Sequence, residues 1–317
     1  MESDSKMMPT RDGFGKALIE LGKKDKNVVV LSADLTESTR AAWFKKEFPD
    51  RFFGFGVAEQ DMFGAAAGFA LSGKTPFACT FGVFASGRAW DQIRISIAYM
   101  NLNVKIGGTH GGVSVGADGA THQALEEITL MRMLPNMSIV VPCDAIEARK
   151  ATLEAARIKG PVYIRLGRNP AHVITKEDAA FRIGKADVLK QGKDVAIFAC
   201  GHMVYEAMIA SGMLEKEGID AKVINLHTPK PIDRDFIINT AKETRAVVTA
   251  EEHTLYGGFG SAIAEVLVEN FPVPIKMVGI RDMFGESGEP EELFNHFKIN
   301  AEHIKKSAIE AVKAKKI

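Results

Sequence analysis

The chain has little cysteine, no excess of either charge and no long apolar run. Its three cysteines, Cys79, Cys143 and Cys200, are odd in number and widely spaced among 317 residues. They therefore predict neither a disulfide framework nor a cysteine-rich zinc site. Lys+Arg and Asp+Glu both total 40. This balance argues against a basic surface for nucleic acid or for an anionic membrane.

Membrane-spanning and secretory patterns are also missing. The longest apolar stretch ends at Lys74 and Pro76, before it reaches the roughly 20 residues that a transmembrane helix needs. The amino-terminal segment MESDSKMMPT lacks the charged-then-apolar pattern of a signal peptide. Together with the scarcity of cysteine, these absences predict a cytoplasmic protein.

Strand and helix patterns alternate along nearly the whole chain. Short apolar runs, such as residues 28–32, are typical of strands buried on both faces, and stretches such as 11–23 have helical periodicity. The alternation lapses into turn residues and charge over 167–193 and then restarts. The sequence therefore predicts two doubly wound α/β domains, assigned to residues 1–180 and 181–317.

The stretch GFGVAEQDMFGAAAGFALSG, which begins at residue 54, contains a carboxylate at the start of a predicted helix. Glu59 is followed by small and apolar side chains on every side, which predicts a helix buried all round. Gly64 and Gly68 share one face, where another backbone could approach closely. Two interpretations of Glu59 stay open: it complements the helix amino terminus, or it holds a ligand nitrogen at a subunit contact.

Two further segments are candidates for ligand binding. Phe81 and Phe84 follow a predicted strand beside glycine, and they fit either core packing or stacking on a flat heterocycle. The glycine-rich loop GGTHGGVSVGADGATHQ contains His110, Asp118 and His122 after the next strand. Loops at the carboxyl ends of parallel strands are where α/β proteins bind ligands, so we predict a functional loop.

Four motifs occur in a fixed order: GFGVAEQDM, CTFGVF, GADGATHQ and IRLGRNP. Together they resemble the carboxyl-terminal half of the transketolase group of thiamine diphosphate enzymes, over nearly the whole chain. The resemblance implies a pyrimidine-binding domain followed by the family's C-terminal domain. The same group includes deoxyxylulose-phosphate synthases and the β subunits of 2-oxoacid dehydrogenases.

One motif of the group is missing. Its members bind the cofactor diphosphate and Mg²⁺ through a GDG sequence and a later asparagine, and this chain contains no GDG. Magnesium prefers oxygen ligands together with phosphate oxygens, and we assign no metal ligand to this chain. The resemblance therefore implies one subunit of a split transketolase. Its partner would be an amino-terminal subunit that binds Mg²⁺ and the diphosphate, in an expected α2β2 heterotetramer.

The resemblance also implies roles for individual residues. Glu59 matches the glutamate that hydrogen-bonds the aminopyrimidine ring and favours the tautomer that activates the thiazolium carbon. Phe84 matches the aromatic residue stacked on that ring, with Phe81 beside it, and Asp34 is assigned to cofactor binding as well. The substrate is assigned to Arg11, Ser38, His110, Asp118, His122 and Arg168. Among these, the two histidines are also assigned catalytic roles. The aspartate is expected to bind a sugar hydroxyl, and the two arginines and the serine are expected to bind a sugar phosphate.

Two departures from the transketolase pattern keep the substrate open. Gly87 stands where typical transketolases have a tyrosine, and the run RAWDQ after it resembles the synthase branch. The first hypothesis is a split transketolase subunit that moves a two-carbon ketol unit from a ketose phosphate to an aldose phosphate. The second is a synthase-like or 2-oxoacid dehydrogenase β-type subunit, although the dehydrogenases lack the complete GADGATHQ spelling. The third is a catalytically silent assembly subunit, against which intact Glu59, Asp118 and His122 argue.

Overall fold

Two sheets organise the computed structural model, which describes residues 6–315. The first sheet is parallel throughout, in the order β3-β2-β4-β5-β7-β6. Its strands are β2 (Val28–Ser32), β3 (Phe52–Gly54), β4 (Thr75–Phe81), β5 (Lys105–Thr109), β6 (Ser138–Val140) and β7 (Val162–Arg165). A separate antiparallel pair joins β1 (Met7–Pro9) to β8 (Pro170–His172).

Helices cover both faces of the first sheet. They are α1 (Thr10–Lys24), α2 (Ala41–Glu47), α3 (Glu59–Leu71), α4 (Gly82–Ser86), α5 (Trp90–Gln92), α6 (Glu127–Arg132) and α7 (Ala145–Arg157), with a π-helix at Ile93–Tyr99 and 3₁₀ turns at Pro49–Arg51 and Val113–Asp118. One apolar core packs α1 and α7 against the sheet around Phe14 and Phe77, and another packs α3 around Met62 and Phe63. This two-sided burial explains why the strands are apolar without alternation.

The second sheet has five strands in the order β13-β12-β10-β11-β9, and only the β9–β11 pair is antiparallel. The strands are β9 (Asp187–Lys190), β10 (Val195–Ala199), β11 (Ala221–Asn225), β12 (Val247–Thr254) and β13 (Ile275–Ile280). The helices are α8 (Met203–Lys216), α9 (Arg234–Thr244), α10 (Phe259–Asn270), α11 (Pro290–His296) and α12 (Ala301–Ala314). The predicted pair of doubly wound α/β domains is confirmed, whereas the boundary at residue 180 stays a prediction.

Some local expectations were wrong. The sequence after β4 predicts one helix over about residues 86–101, but α4 ends at Ser86, residues 87–89 form a turn, and α5 and the π-helix follow. The turn residues and charge over 167–193 predict a linker, but this segment contributes two strands, β8 and β9. None of the described helices has the length and apolarity needed to cross a membrane. A cytoplasmic location stays a prediction.

The sequence predicts that helix α3 is buried on every side, but in the structure one face is exposed. Gly64, Gly68 and Leu71 are exposed along one face, and a Cβ atom added at either glycine would meet nothing within 4 Å. Apolarity all round indicates burial but does not say against which chain the helix is buried. In the single chain this face is open.

Candidate active site

The predicted site residues are brought to one edge of the first sheet, where the strands end. Asp34 and Ser38 follow β2, Glu59 follows β3, Phe81 and Phe84 lie at and after β4, His110 to His122 follow β5, and Arg168 follows β7. Arg11 joins them from the first turn of α1. Because neighbouring parallel strands end at the same edge, residues distant in sequence become neighbours.

Four rings form the centre of this cluster. Phe81 stacks on His110 with ring centroids 3.6 Å apart, and on Phe84 at 5.6 Å. His122 meets both phenylalanines edge-on, at 5.8 and 5.7 Å. The structure therefore brings the two predicted aromatic residues and the two predicted histidines together.

His110 is held as a neutral imidazole. It is 2% exposed, its backbone is left-handed with φ of 61°, and its Nδ1 lies 3.0 Å from the hydroxyl of Thr109. Burial lowers the pKa of His110 to about 3, and the charges of Arg11 and Arg168 add to the effect. At neutral pH this histidine can donate or accept a hydrogen bond but carries no charge.

Three arginines converge beside the ring cluster. Arg11 donates through Nη1 to the backbone carbonyl of Ser38 at 2.9 Å, so the contact uses the serine main chain and not its hydroxyl. Burial lowers the pKa of Arg11 to about 10, and Arg40 and Arg168 contribute to the lowering. Sequence reasoning missed Arg40, although it lies only two residues after Ser38. Such a convergence of guanidinium groups favours an anionic ligand.

Glu59 is buried, and the side chain that pairs with it was not predicted. Its carboxyl group is 3% exposed, and its two oxygens lie 3.1 and 3.3 Å from Nη1 of Arg88. The Cζ atom of Arg88 stands 4.0 Å from the centroid of the Phe84 ring. The Arg88 side chain is itself 50% exposed. The only signal in the sequence was a cation one helical turn after an aromatic residue.

Residues of the C-terminal domain hold the glycine-rich loop in place through hydrogen bonds. The Ser114 amide donates to the Glu252 carboxylate, and Gln123 donates through Nε2 to the Glu286 carbonyl at 2.8 Å. Gly112 has φ of 88°, and a Cβ atom there would lie 2.2 Å from the carboxyl carbon of Glu252. Only glycine allows that approach. Composition predicted a functional loop but not that the C-terminal unit holds it.

Asp118, at the end of that loop, pairs with the predicted phosphate-binding arginine. Its Oδ1 lies 3.2 Å from Nη1 of Arg168, and the two side chains are 32% and 34% exposed. Arg168 also donates to the Val115 carbonyl at 2.9 Å. Asp34, in contrast, is exposed, with a left-handed φ of 57°. Its predicted role in cofactor binding stays a prediction.

A buried ionic network lies behind the loop, between the two units. Arg165 pairs with Glu127 and donates through Nη2 to the Glu252 carbonyl at 2.8 Å. Although burial opposes it, the charges of Glu127 and Glu252 raise the pKa of Arg165. Glu251 accepts the amides of Phe259 and Gly260 at 2.7 and 2.8 Å, and burial raises its pKa to about 8. This network joins the domains beneath the site.

One group of possible metal ligands exists among residues 6–315, but it contains none of the predicted site residues. Ligand atoms of Glu147, Asp187 and His227 lie within 4.8 Å of one another. The Glu147 carboxylate is already engaged, since it accepts the Cys143 amide and the Asn225 side chain, both at 2.7 Å. The mixed nitrogen and oxygen set differs from the oxygen ligands that Mg²⁺ prefers. We keep the prediction that this chain supplies no ligand to Mg²⁺.

The fold and the site together describe an α/β protein in which aromatic, carboxylate and arginine side chains converge at the ends of parallel strands. The pyrimidine-binding domain of transketolase matches residues 6–172, and the transketolase C-terminal domain matches residues 184–304. The chain therefore belongs to the transketolase family, of which it comprises these two domains. Membership implies dependence on thiamine diphosphate.

Individual proteins agree with this assignment over their full length. A solved structure described as a split gene transketolase, an inactive beta4 tetramer, is 48% identical, with a TM-score of 0.91, and the match covers 98% of this chain and 100% of that one. A 6-deoxy-6-sulfo-D-fructose transketolase subunit of Clostridium sp. is 43% identical over 305 residues, 96% of this chain and 95% of its own. An apulose-4-phosphate transketolase subunit of Phocaeicola vulgatus is 41% identical over 308 residues, 97% and 98% of the two chains. The predicted resemblance to a split transketolase is confirmed, and a partner subunit is implied.

Thiamine diphosphate fits the residues present. An aminopyrimidine needs a carboxylate beside a ring nitrogen and an aromatic face to stack on. Glu59 and Phe84 offer these two features, since a single planar guanidinium contacts both of them. A flat group with nitrogen donors is thus compatible with both surfaces.

Proposed function

We propose that this chain is the C-terminal subunit of a split transketolase, which transfers a two-carbon ketol unit from a ketose phosphate to an aldose phosphate. The observation that carries the proposal is the single cluster at the strand ends. A buried carboxylate and stacked aromatic rings lie there beside neutral His110 and three converging arginines. One side suits a flat heterocycle, and the other suits a phosphorylated sugar.

The cofactor side consists of Glu59, Phe81 and Phe84, with Asp34 as a further predicted contact. When bound, thiamine diphosphate supplies the nucleophilic carbon that attacks the ketose carbonyl. Glu59 holds a proton at the ring nitrogen, and the aromatic side chains orient the ring and exclude water from it. We assign the diphosphate and Mg²⁺ mainly to the partner subunit, since this chain lacks the GDG motif.

The substrate side contains His110, His122, Asp118, Arg11 and Arg168. Neutral His110, together with His122, forms hydrogen bonds at the sugar oxygens and moves protons there. Asp118 accepts a hydrogen bond from a hydroxyl of the sugar. The arginines bind the distal phosphate through paired N–H donors, with the Ser38 carbonyl fixing one of them.

Exposed apolar side chains on neighbouring segments of the chain support the requirement for a partner. Five such side chains, each at least 45% exposed, lie between β3 and the end of the π-helix region: Val57, Leu71, Ile95, Tyr99 and Met100. An apolar surface of this kind marks a protein–protein contact. We propose that it meets the amino-terminal subunit in an α2β2 assembly. The related split transketolase described as an inactive beta4 tetramer agrees with an inactive isolated chain.

The sugar is not fixed by the family. Two similar proteins are named for different sugars, a sulfonated fructose and apulose 4-phosphate. Both names describe transketolase subunits, which favours ketol transfer over the 2-oxo acid alternative. The pairing of Asp118 with Arg168 gives the same preference, since pyruvate offers neither a sugar hydroxyl nor a phosphate.

The proposal is tested by assaying the chain alone and after co-purification with the amino-terminal subunit. We expect ketol transfer from xylulose 5-phosphate, and Mg²⁺-dependent cofactor binding, only in the co-purified complex. Transketolase activity of the purified chain alone would contradict the split arrangement. Consumption of pyruvate with release of CO₂, while xylulose 5-phosphate is ignored, would replace the proposal with the synthase-like alternative.

A further inference from the structure

Arg88 makes two contacts that meet at the proposed cofactor position. Its Nη1 lies 3.1 and 3.3 Å from the two oxygens of Glu59, and its Cζ lies 4.0 Å from the centroid of the Phe84 ring. The backbone is fixed, since the Arg88 amide donates to the Phe84 carbonyl and the Arg88 carbonyl accepts from Gln60. The side chain, however, is half exposed and can turn into solvent.

The guanidinium satisfies the same two surfaces that an aminopyrimidine would use. It is flat, it lies over an aromatic face, and it offers N–H groups to a buried carboxylate. Two flat groups cannot both occupy the space between Glu59 and Phe84. Building on the function proposed above, we propose that Arg88 occupies the aminopyrimidine position in the cofactor-free subunit and must leave when the cofactor binds.

A stand-in at this position has a physical reason. Glu59 is buried at the start of α3, and a buried carboxylate without a partner is strongly destabilising. Arg88 supplies that partner while the subunit is free. Because its side chain is half exposed, the guanidinium can turn into water once another group pairs with Glu59. Arg88 thus stabilises the empty site and weakens cofactor binding by competing for it.

The competition predicts opposite effects on two measurable quantities. Without Arg88 the cofactor no longer has to displace a resident group, so its apparent affinity rises by the reciprocal of the open fraction. In Arg88→Met we expect the dissociation constant of thiamine diphosphate to fall by roughly 3–10-fold, as for a site that is open in about one-third to one-tenth of the cofactor-free molecules. The cofactor-free protein should unfold at a lower temperature, because Glu59 loses its partner.

The experiment is calorimetric titration of thiamine diphosphate with Mg²⁺ into the complex co-purified with the amino-terminal subunit. Thermal unfolding of the cofactor-free complex is measured alongside. Wild type is compared with Arg88→Met, with Arg88→Lys, and with Arg157→Met as control. Arg157 forms an exposed ion pair with Glu154 on α7, so this control removes the same charge from a surface pair. Arg88→Lys keeps the charge without the planar fork and should fall between wild type and Arg88→Met.

Tighter binding in Arg88→Met, with a lower unfolding temperature and an unchanged control, supports the inference. Equal or weaker binding in Arg88→Met overturns it, because Arg88 would then be neutral or would itself hold the cofactor. Should Arg88→Met fail to fold, equal or weaker binding by Arg88→Lys than by wild type overturns it likewise. Absence of any binding by the wild-type complex rejects the proposed function together with this inference, so the two failures are distinguishable.

Discussion

The molecule contains two kinds of buried carboxylate. Glu59, in the proposed site, is held by one half-exposed arginine side chain. Glu251, between the domains, accepts two backbone amides, and Glu127 pairs with Arg165, which is almost fully buried. Groups satisfied by backbone and by buried partners cannot be released without unfolding. A group whose partner can leave is ready for a ligand, so the partner's exposure separates binding groups from structural ones.

Asp118 is itself exposed, but it too pairs with an arginine that solvent reaches. Its arginine partner, Arg168, is about one-third exposed and is also held by the Val115 carbonyl. The two proposed site carboxylates thus share one arrangement, an arginine that a ligand can replace or recruit. Substitutions test this distinction. Those in the proposed site should lower activity, and those in the network between the domains should lower stability.

The largest effect is expected from Glu59→Gln in the complex with the partner subunit. Glutamine keeps the shape of the side chain but cannot hold the proton at the ring nitrogen. We expect proton–deuterium exchange at the thiazolium carbon, and ketol transfer, to slow by roughly 10²–10⁴-fold, the range for a positioned proton-transfer group. Nuclear magnetic resonance of the bound cofactor measures the exchange directly.

The control for Glu59→Gln is the unfolding temperature, which should stay close to that of the wild type, since the amide fills the same volume. An unchanged exchange rate would return Glu59 to the role of a group that only complements the amino terminus of α3.

On the structural side, Arg165→Met should cost stability. It leaves Glu127 as a buried carboxylate without its cation, and breaking such a pair costs about 3–5 kcal/mol. Urea unfolding of the chain measures the free energy of unfolding. Arg157→Met, which removes an exposed pair, should change it by less than about 1 kcal/mol. If both variants lose the same unfolding free energy, buried and exposed partners do not differ in the way that we expect.

Much of the fold was predictable, because it depends on local patterns. Apolar runs such as Val162–Arg165 became parallel strands, and the amphipathic stretch before Lys24 became α1. The ordered motifs also located Glu59, Phe84 and His122 at one sheet edge. Strand ends in a parallel sheet are neighbours by topology, so motif positions were sufficient.

The partners of those residues were not predictable, because they depend on contacts distant in sequence. Nothing in GADGATHQ indicates that Glu252, more than a hundred residues later, binds the loop's backbone. In the sequence Arg88 belongs to a synthase-like spelling and follows Phe84 by one helical turn, and neither feature indicates that it pairs with Glu59. The open face of α3 was misread for a related reason, since composition does not distinguish burial within a chain from burial against another.

A smaller catalytic effect is expected from Asp118→Ala. The change removes the acceptor for a sugar hydroxyl and leaves that hydroxyl unpaired in the bound state. We expect kcat/KM for a ketose phosphate donor to fall by a factor that corresponds to about 2–3 kcal/mol of lost transition-state stabilisation. Discrimination among sugar stereoisomers should also become weaker. Steady-state kinetics of the complex with several ketose phosphates measures both. A uniform loss for all donors, without any change in discrimination, would assign Asp118 to positioning Arg168 instead.

The smallest effect concerns acid stability of the interdomain network. His253 is fully buried, its Nε2 accepts the Ile128 amide at 3.1 Å, and Glu127 and Glu251 lie 3.6 Å from its ring nitrogens. Burial lowers the pKa of His253 to about 3, with Arg165 adding to the effect. Between pH 6.5 and 3 the unfolded chain therefore binds a proton that the folded chain does not. Stability from this group is complete above pH 6.5 and is lost as the pH falls.

Glu251 acts in the opposite direction, since its pKa is raised to about 8 and acidification from there stabilises the fold. The effect of His253 is therefore measured as a difference between wild type and His253→Gln, in which the contribution of Glu251 cancels. From about pH 7 to about pH 5 the wild type should lose about 2 kcal/mol of unfolding free energy relative to the variant, since one pKa unit corresponds to about 1.4 kcal/mol. The exposed His296, replaced by Gln, is the control for the loss of a histidine elsewhere in the chain. If His253→Gln loses stability in parallel with the wild type on acidification, His253 is protonated in the folded chain. The two neighbouring carboxylates then bind a buried cation, as Glu59 binds Arg88.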